Sequence, residues 1–130
     1  MPKSFLFLVA LSWTGIVTYL CLVQSADLPV INIANLDKWI HAFFHFVFTF
    51  VWFLFFYKQL KLESIFKPLL ISFSFSFVFG IGIELLQGLL TVSRKADLFD
   101  VIANLTGAIL SVFVVIICSK LKILNLILKN

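Results

Sequence analysis

The stretch PLLISFSFSFVFGIGIELLQGLLTV, from Pro68 to Val92, carries a single charged residue, Glu84. A transmembrane helix needs roughly 20 mostly apolar residues to cross the hydrocarbon core, and this run has that length. Within it, SFSFSF (Ser72 to Phe77) alternates with period two, which in isolation signals a strand. An open strand edge in lipid would leave a row of backbone N–H and C=O groups without partners, so the whole run is expected to be helical. The fold then depends on whether the rest of the chain was built for the same solvent.

It was. Of the 130 residues 62% are hydrophobic and 12% charged, and the mean hydropathy is +1.15. A soluble domain carries about twice that charged fraction, and this chain has too few polar side chains to coat a globule. Three further apolar runs have spanning length, and they are separated by QSADLPVINIANLDK, KQLKLESIFK and SRKADLFD. We therefore expect an all-α transmembrane four-helix bundle forming a single domain over residues 1–130. Its helices are placed at about 4–23, 39–57, 68–92 and 100–119, with a basic tail at 120–130. The first run is too long for a signal-peptide core, and QSA lacks the paired small residues of a cleavage site, so an uncleaved first helix is expected.

Basic residues assign the sides. Lys3, Lys58, Lys61, Lys67, Lys120, Lys122 and Lys129 fall on one side of a four-span topology, and Lys38, Arg94 and Lys95 on the other. The positive-inside rule then puts both termini in the cytoplasm and accounts for the net charge of +4 without nucleic acid. In this topology Asp37, Lys38, His41, His45, Glu84, Gln87, Arg94, Asp97, Asp100 and Asn104 all fall towards the outer side.

Helical phase sorts the same residues into stripes. His41, His45 and Thr49 share one face, followed by Trp52; Ser76, Gly80, Glu84, Gln87 and Thr91 share another. Asp97, Asp100, Asn104, Gly107 and Ser111 form a third. Small residues let membrane helices approach and polar ones bond between them, so the stripes are expected to face one another. The many Phe and Leu residues are left for lipid. Gly80 and Gly82 are both expected to admit a neighbouring helix.

An ionisable group inside a membrane helix is expensive, about 2.5–3.5 kcal/mol at the centre, and is a functional candidate by default. For Glu84 the expected partners are Arg94, His45 or Gln87, and the competing role is a polar clamp. HAFFH (His41 to His45) has an i,i+4 spacing able to bind zinc, but lacks the glutamate of a zinc-protease helix. Hydrogen-bonded interfacial histidines are the plainer expectation, and no metal or other cofactor is expected. Asp97 and Asp100 could hold Mg²⁺ with a phosphate, although an aspartate there more simply caps the fourth helix. Cys21 and Cys118 belong to opposite membrane sides, beyond disulfide reach. The tail KLKILNLILKN either prolongs the fourth helix or lies along the interface.

DKWIH (Asp37 to His41), ELLQ (Glu84 to Gln87) and RKADLFDVIANLTG (Arg94 to Gly107) resemble the VanZ-like family of small bacterial membrane proteins. The resemblance covers roughly Asp37 to Gly107 and is most specific from Glu84 onward. It implies a multi-pass protein of the bacterial cytoplasmic membrane, with a namesake linked to resistance against teicoplanin-type glycopeptides. By motif matching it implies a site of Asp37, Lys38, His41, Glu84, Gln87, Arg94, Asp100 and Asn104; His45 stands outside the family pattern. The leading expectation is a non-enzymatic, outward-facing polar pocket for an envelope lipid or amphipathic small molecule. A structural or partner subunit comes second, and a metal-assisted lipid-phosphate hydrolase or transferase third.

Overall fold

The computed structural model describes residues 1–23, 33–61, 64–92 and 95–129, and all regular structure among them is helical. The helices are α1 (Lys3–Leu22), α2 (Leu36–Leu60), α3 (Phe66–Leu90), α4 (Leu98–Lys120) and the short α5 (Ile123–Lys129). The first four are long and apolar enough to cross a membrane. At 1.5 Å per residue, α2 and α3 are each about 37 Å long, slightly more than the hydrocarbon core.

Local chemistry sets the helix ends. α3 begins two residues ahead of Pro68, because proline is tolerated in a first turn whose N–H groups have no intrahelical partner. Asn35 precedes α2 in the left-handed region (φ 56°), and Lys61 closes α2 in the same region (φ 50°). α2 therefore begins before Asp37 and Lys38, which lie on its first turn and not in the preceding connection. Asp97 caps α4: its Oδ1 accepts from the backbone N–H of Phe99 at 2.8 Å.

α2 is the hub. It packs against α1, α3 and most extensively α4. The α2–α4 approach is closest at Gly107, where a Cβ would overlap the carbonyl oxygen of Ala42 and lie 2.7 Å from its carbonyl carbon. Gly80 is the second close approach: a Cβ there would stand 2.9 Å from His45 Cε1 and 3.1 Å from Asn104 Nδ2. Gly82 faces open space, contrary to the expectation that it too would admit a neighbour. Two residues further along a helix is about 200° around it, which turns Gly82 away from the stripe.

The three polar stripes are buried against one another: His41, His45 and Thr49 on α2, Ser72, Ser76, Glu84 and Gln87 on α3, and Asp100, Asn104 and Ser111 on α4. The lipid-facing surface is rich in Leu, but the phenylalanines divide. Phe48 and Phe53 are fully buried, and Phe48 stacks on Phe79 with centroids 4.6 Å apart and 11° between planes. Trp52 meets Phe75 edge-on at 4.8 Å, which extends the aromatic seam between α2 and α3. Offset and edge-on aromatic contacts supply packing that lipid tails cannot match in shape.

α1 joins through tryptophan donors. Trp13 Nε1 donates to Phe44 O, and Trp52 Nε1 to Thr14 Oγ1, both at 3.1 Å. At the end where α1 and α3 begin, α5 folds back across the bundle. It does not prolong α4, because Lys122 turns the chain in the left-handed region (φ 58°). Leu124 and Leu128 join Leu6, Phe53, Leu54, Leu69 and Val115 in one apolar cluster, and Lys58 Nζ donates to Leu128 O at 2.7 Å.

Candidate functional site

The opposite end of the bundle, where α2 and α4 begin, holds the charged residues. Lys38 is their centre. Its Nζ lies 2.6 Å from Asp37 Oδ2, 2.8 Å from Asp97 Oδ2 and 2.9 Å from Asp100 Oδ1. The first two contacts are hydrogen bonds, whereas the Asp100 contact is ionic, its angles falling outside hydrogen-bond geometry. One ammonium thus ties the first turn of α2 to the cap and first turn of α4. Asp37 and Asp97 are solvated, and Asp100 is largely buried.

Behind Lys38 the site becomes dry. His41 Nδ1 lies 3.1 Å from Asn104 Oδ1, a carbonyl oxygen that accepts from this nitrogen in the Nδ1–H tautomer. Around the same ring stand Glu84 Oε1, 3.7 Å from Nδ1, and Asp100 Oδ2, 3.8 Å from Nε2. Glu84 is 3% exposed. Its Oε2 accepts from the backbone N–H of Asp97 at 3.3 Å, while Oε1 has no hydrogen-bond partner. The connection entering α4 therefore rests on α3 through Glu84, with Ala96 lying over Gly88.

Two expected partnerships of Glu84 are corrected. Glu84 is not bonded to Gln87, whose Nε2 instead donates to the backbone carbonyl of Cys21 at 2.7 Å and pins α1 to α3. Nor does it meet His45, whose Nδ1 is 2.8 Å from Ser76 Oγ and whose ring packs beside the stacked pair of Phe48 and Phe79. A pitch of 3.6 residues sets His45 one turn deeper than His41, and Gly80 leaves room for its ring there. The HAFFH pair thus serves two separate environments. Arg94 lies outside the described residues.

A cavity of about 490 Å³ opens beside this cluster. It is lined by the carboxylates of Asp37, Asp97 and Asp100, by His41, Gln87 and Lys95, and by the apolar side chains of Leu20, Ile40 and Phe44. Sequence reasoning left Lys95, the apolar lining and the Cys21 carbonyl out of the site. Ile40 and Phe44 were legible in principle, since they flank His41 on the same helix at one and three residues. A backbone acceptor such as Cys21 O has no sequence signal.

The Lys38 ammonium beside Asp97, with the Phe99 N–H, holds the Asp97 carboxyl below the ordinary carboxylate range. A lowered folded-state pKa contributes stability above the ordinary aspartate value of about 4, and that stability is lost as pH falls through the lower folded value. Wild type should therefore melt above Asp97→Asn by a constant margin from neutral pH down to about pH 5, with the gap closing only below about pH 4. Thermal melts across that range test this, and a gap undiminished in strong acid would refute it.

Length, composition and packing together define a multi-pass membrane protein of all-helical fold with a charged, partly dry site at one end of the bundle. Comparison with protein-family models, with curated proteins and with solved structures finds no match to the chain.

Proposed function

We propose that the chain is a VanZ-like protein of the bacterial cytoplasmic membrane, with both termini cytoplasmic, that binds the polar head of an amphipathic envelope ligand in an outward-facing pocket. The observation that carries this reading is the mixed lining of the cavity: Asp37, Asp97, Asp100 and Lys95 together with Leu20, Ile40 and Phe44. A ligand with a charged head and an aliphatic body complements both kinds of lining at once. Lys38 already serves three carboxylates, so the acidic lining is left to attract an ammonium, and Lys95 is placed for an accompanying anion. That combination suits a zwitterionic lipid head or an amine-bearing lipopeptide. The link to teicoplanin-type resistance comes from the motif resemblance and is part of the proposal. The orientation follows from the basic residues gathered at the α5 end.

Native mass spectrometry of the detergent-purified protein tests the pocket. Wild type should retain an envelope lipid, and Ile40→Trp, which crowds the apolar lining, should reduce its occupancy about tenfold, a loss of about 1.4 kcal/mol of binding. Equal occupancy in a normally folded variant would refute the pocket. A second reading, a structural subunit, is favoured by the Lys38 clamp alone. It requires that site substitutions lower assembly in step with any activity.

A further inference from the structure

His41, Glu84 and Asp100 come from three different helices, and one ligand atom from each lies within 4.8 Å of the others. All three are more than nine-tenths buried. Each also has an outer partner that fixes it. Asn104 Oδ1 holds His41 Nδ1 at 3.1 Å, which orients the ring and leaves Nε2 free on the Asp100 side. The Asp97 N–H holds Glu84 Oε2 and leaves Oε1 without a hydrogen-bond partner. Lys38 sits 2.9 Å from Asp100 Oδ1 and leaves Oδ2 turned to His41. Glu84 Oε1 stands 3.7 Å from Nδ1 and Asp100 Oδ2 3.8 Å from Nε2, so both carboxylates converge on the imidazole, and ligands held by outer partners in this way are the arrangement that metal sites show.

Charge points the same way. Among the described residues, the Lys38 ammonium is shared by Asp37, Asp97 and Asp100, and Glu84 Oε1 has no hydrogen-bond partner. A buried carboxylate is costly unless it is paired or coordinates a metal, and a divalent ion would offset that cost.

We infer that His41, Glu84 and Asp100 form a binding site for one divalent transition-metal cation of the zinc class. The imidazole nitrogen disfavours Mg²⁺ and Ca²⁺, which take oxygen ligands, and suits a borderline ion. Three protein ligands leave a coordination position open, and His41 and Asp100 both line the cavity, so that position faces it. The site stands independently of the ligand-binding reading: lipid occupancy tests one and metal content the other.

The test uses the purified 130-residue chain, stripped with chelator and reloaded with Zn²⁺, Co²⁺ or Mg²⁺. Elemental analysis should find about one zinc per folded chain, as for a single three-ligand site. Glu84→Gln and Asp100→Asn should lose it, and Asn104→Ala, which removes the outer support of His41, should weaken binding about 10–100-fold. His45→Gln should retain it. Co²⁺-loaded wild type should show visible ligand-field bands without a thiolate charge-transfer band. Should the ligand variants fail to fold, wild-type stoichiometry and the Co²⁺ spectrum still decide. Wild type that takes up no zinc, binds Mg²⁺ equally well, shows a thiolate band, or keeps zinc in folded Glu84→Gln and Asp100→Asn variants would overturn the assignment.

Discussion

Gly107→Ala should unfold the bundle more readily than any single change in the charged site. The added Cβ would overlap the Ala42 carbonyl oxygen, and the obstacle is backbone, so no side-chain rotation can relieve it. Overpacking in a core typically costs 1–3 kcal/mol when side chains can adjust. Here α2 and α4 must separate along their main interface, and we expect a loss of about 3 kcal/mol or more. Against a typical total of about 5–15 kcal/mol, that is a large fraction. The control is Gly82→Ala, where a Cβ meets nothing within 4 Å. Removing glycine from an open helical position gains up to about 1 kcal/mol of helix propensity, so this variant should match or exceed wild type. Thermal unfolding of both in the same detergent checks the contrast, and equal losses would mean that the α2–α4 approach is looser than described.

Lys38→Met should destabilise next most, and unevenly across its three partners. Exposed ion pairs are worth about 0–1 kcal/mol, and Asp37 and Asp97 are 59% and 38% exposed at their side chains, so little is lost there. The Asp100 side chain is only 11% exposed. Stripping a buried carboxylate of its cation costs about 3–5 kcal/mol in a fully buried pair; with Lys38 itself 27% exposed, about 2 kcal/mol is a better expectation. Asp37→Asn alone should fall within about 0.5 kcal/mol of wild type. The double variant Lys38→Met/Asp100→Asn should recover most of the loss, because both halves of the conflict are gone. A double-mutant cycle reads that coupling directly. Coupling near zero would reduce Lys38 to a surface residue.

The spans were legible because lipid allows few alternatives: a long apolar run must satisfy its own backbone, and only a helix does so within one segment. Their ends were less so. Pro68 reads as a boundary, yet α3 starts ahead of it, and Asp37 and Lys38 read as connection although they belong to the first turn of α2. The stripes were legible from spacings of three and four, and those residues of α2, α3 and α4 do meet. Partner choice was not. It depends on depth and rotation, which placed Ser76 opposite His45 and a backbone carbonyl opposite Gln87. The inward turn of Phe48 was also concealed, since phenylalanine lies on every face of α2 and hydropathy alone cannot sort it. Its phase, three residues beyond His45, was the available clue.

The docking of α5 has a consequence for traffic through the molecule. Leu124 and Leu128 stopper the bundle where α1 and α3 begin, with Lys58 latched to the carbonyl of Leu128. The charged vestibule lies at the other mouth, with the Phe48, Phe79 and Trp52 seam between the two. Among the described residues the bundle has the plan of a cup, open beside His41 and filled with packed side chains towards α5.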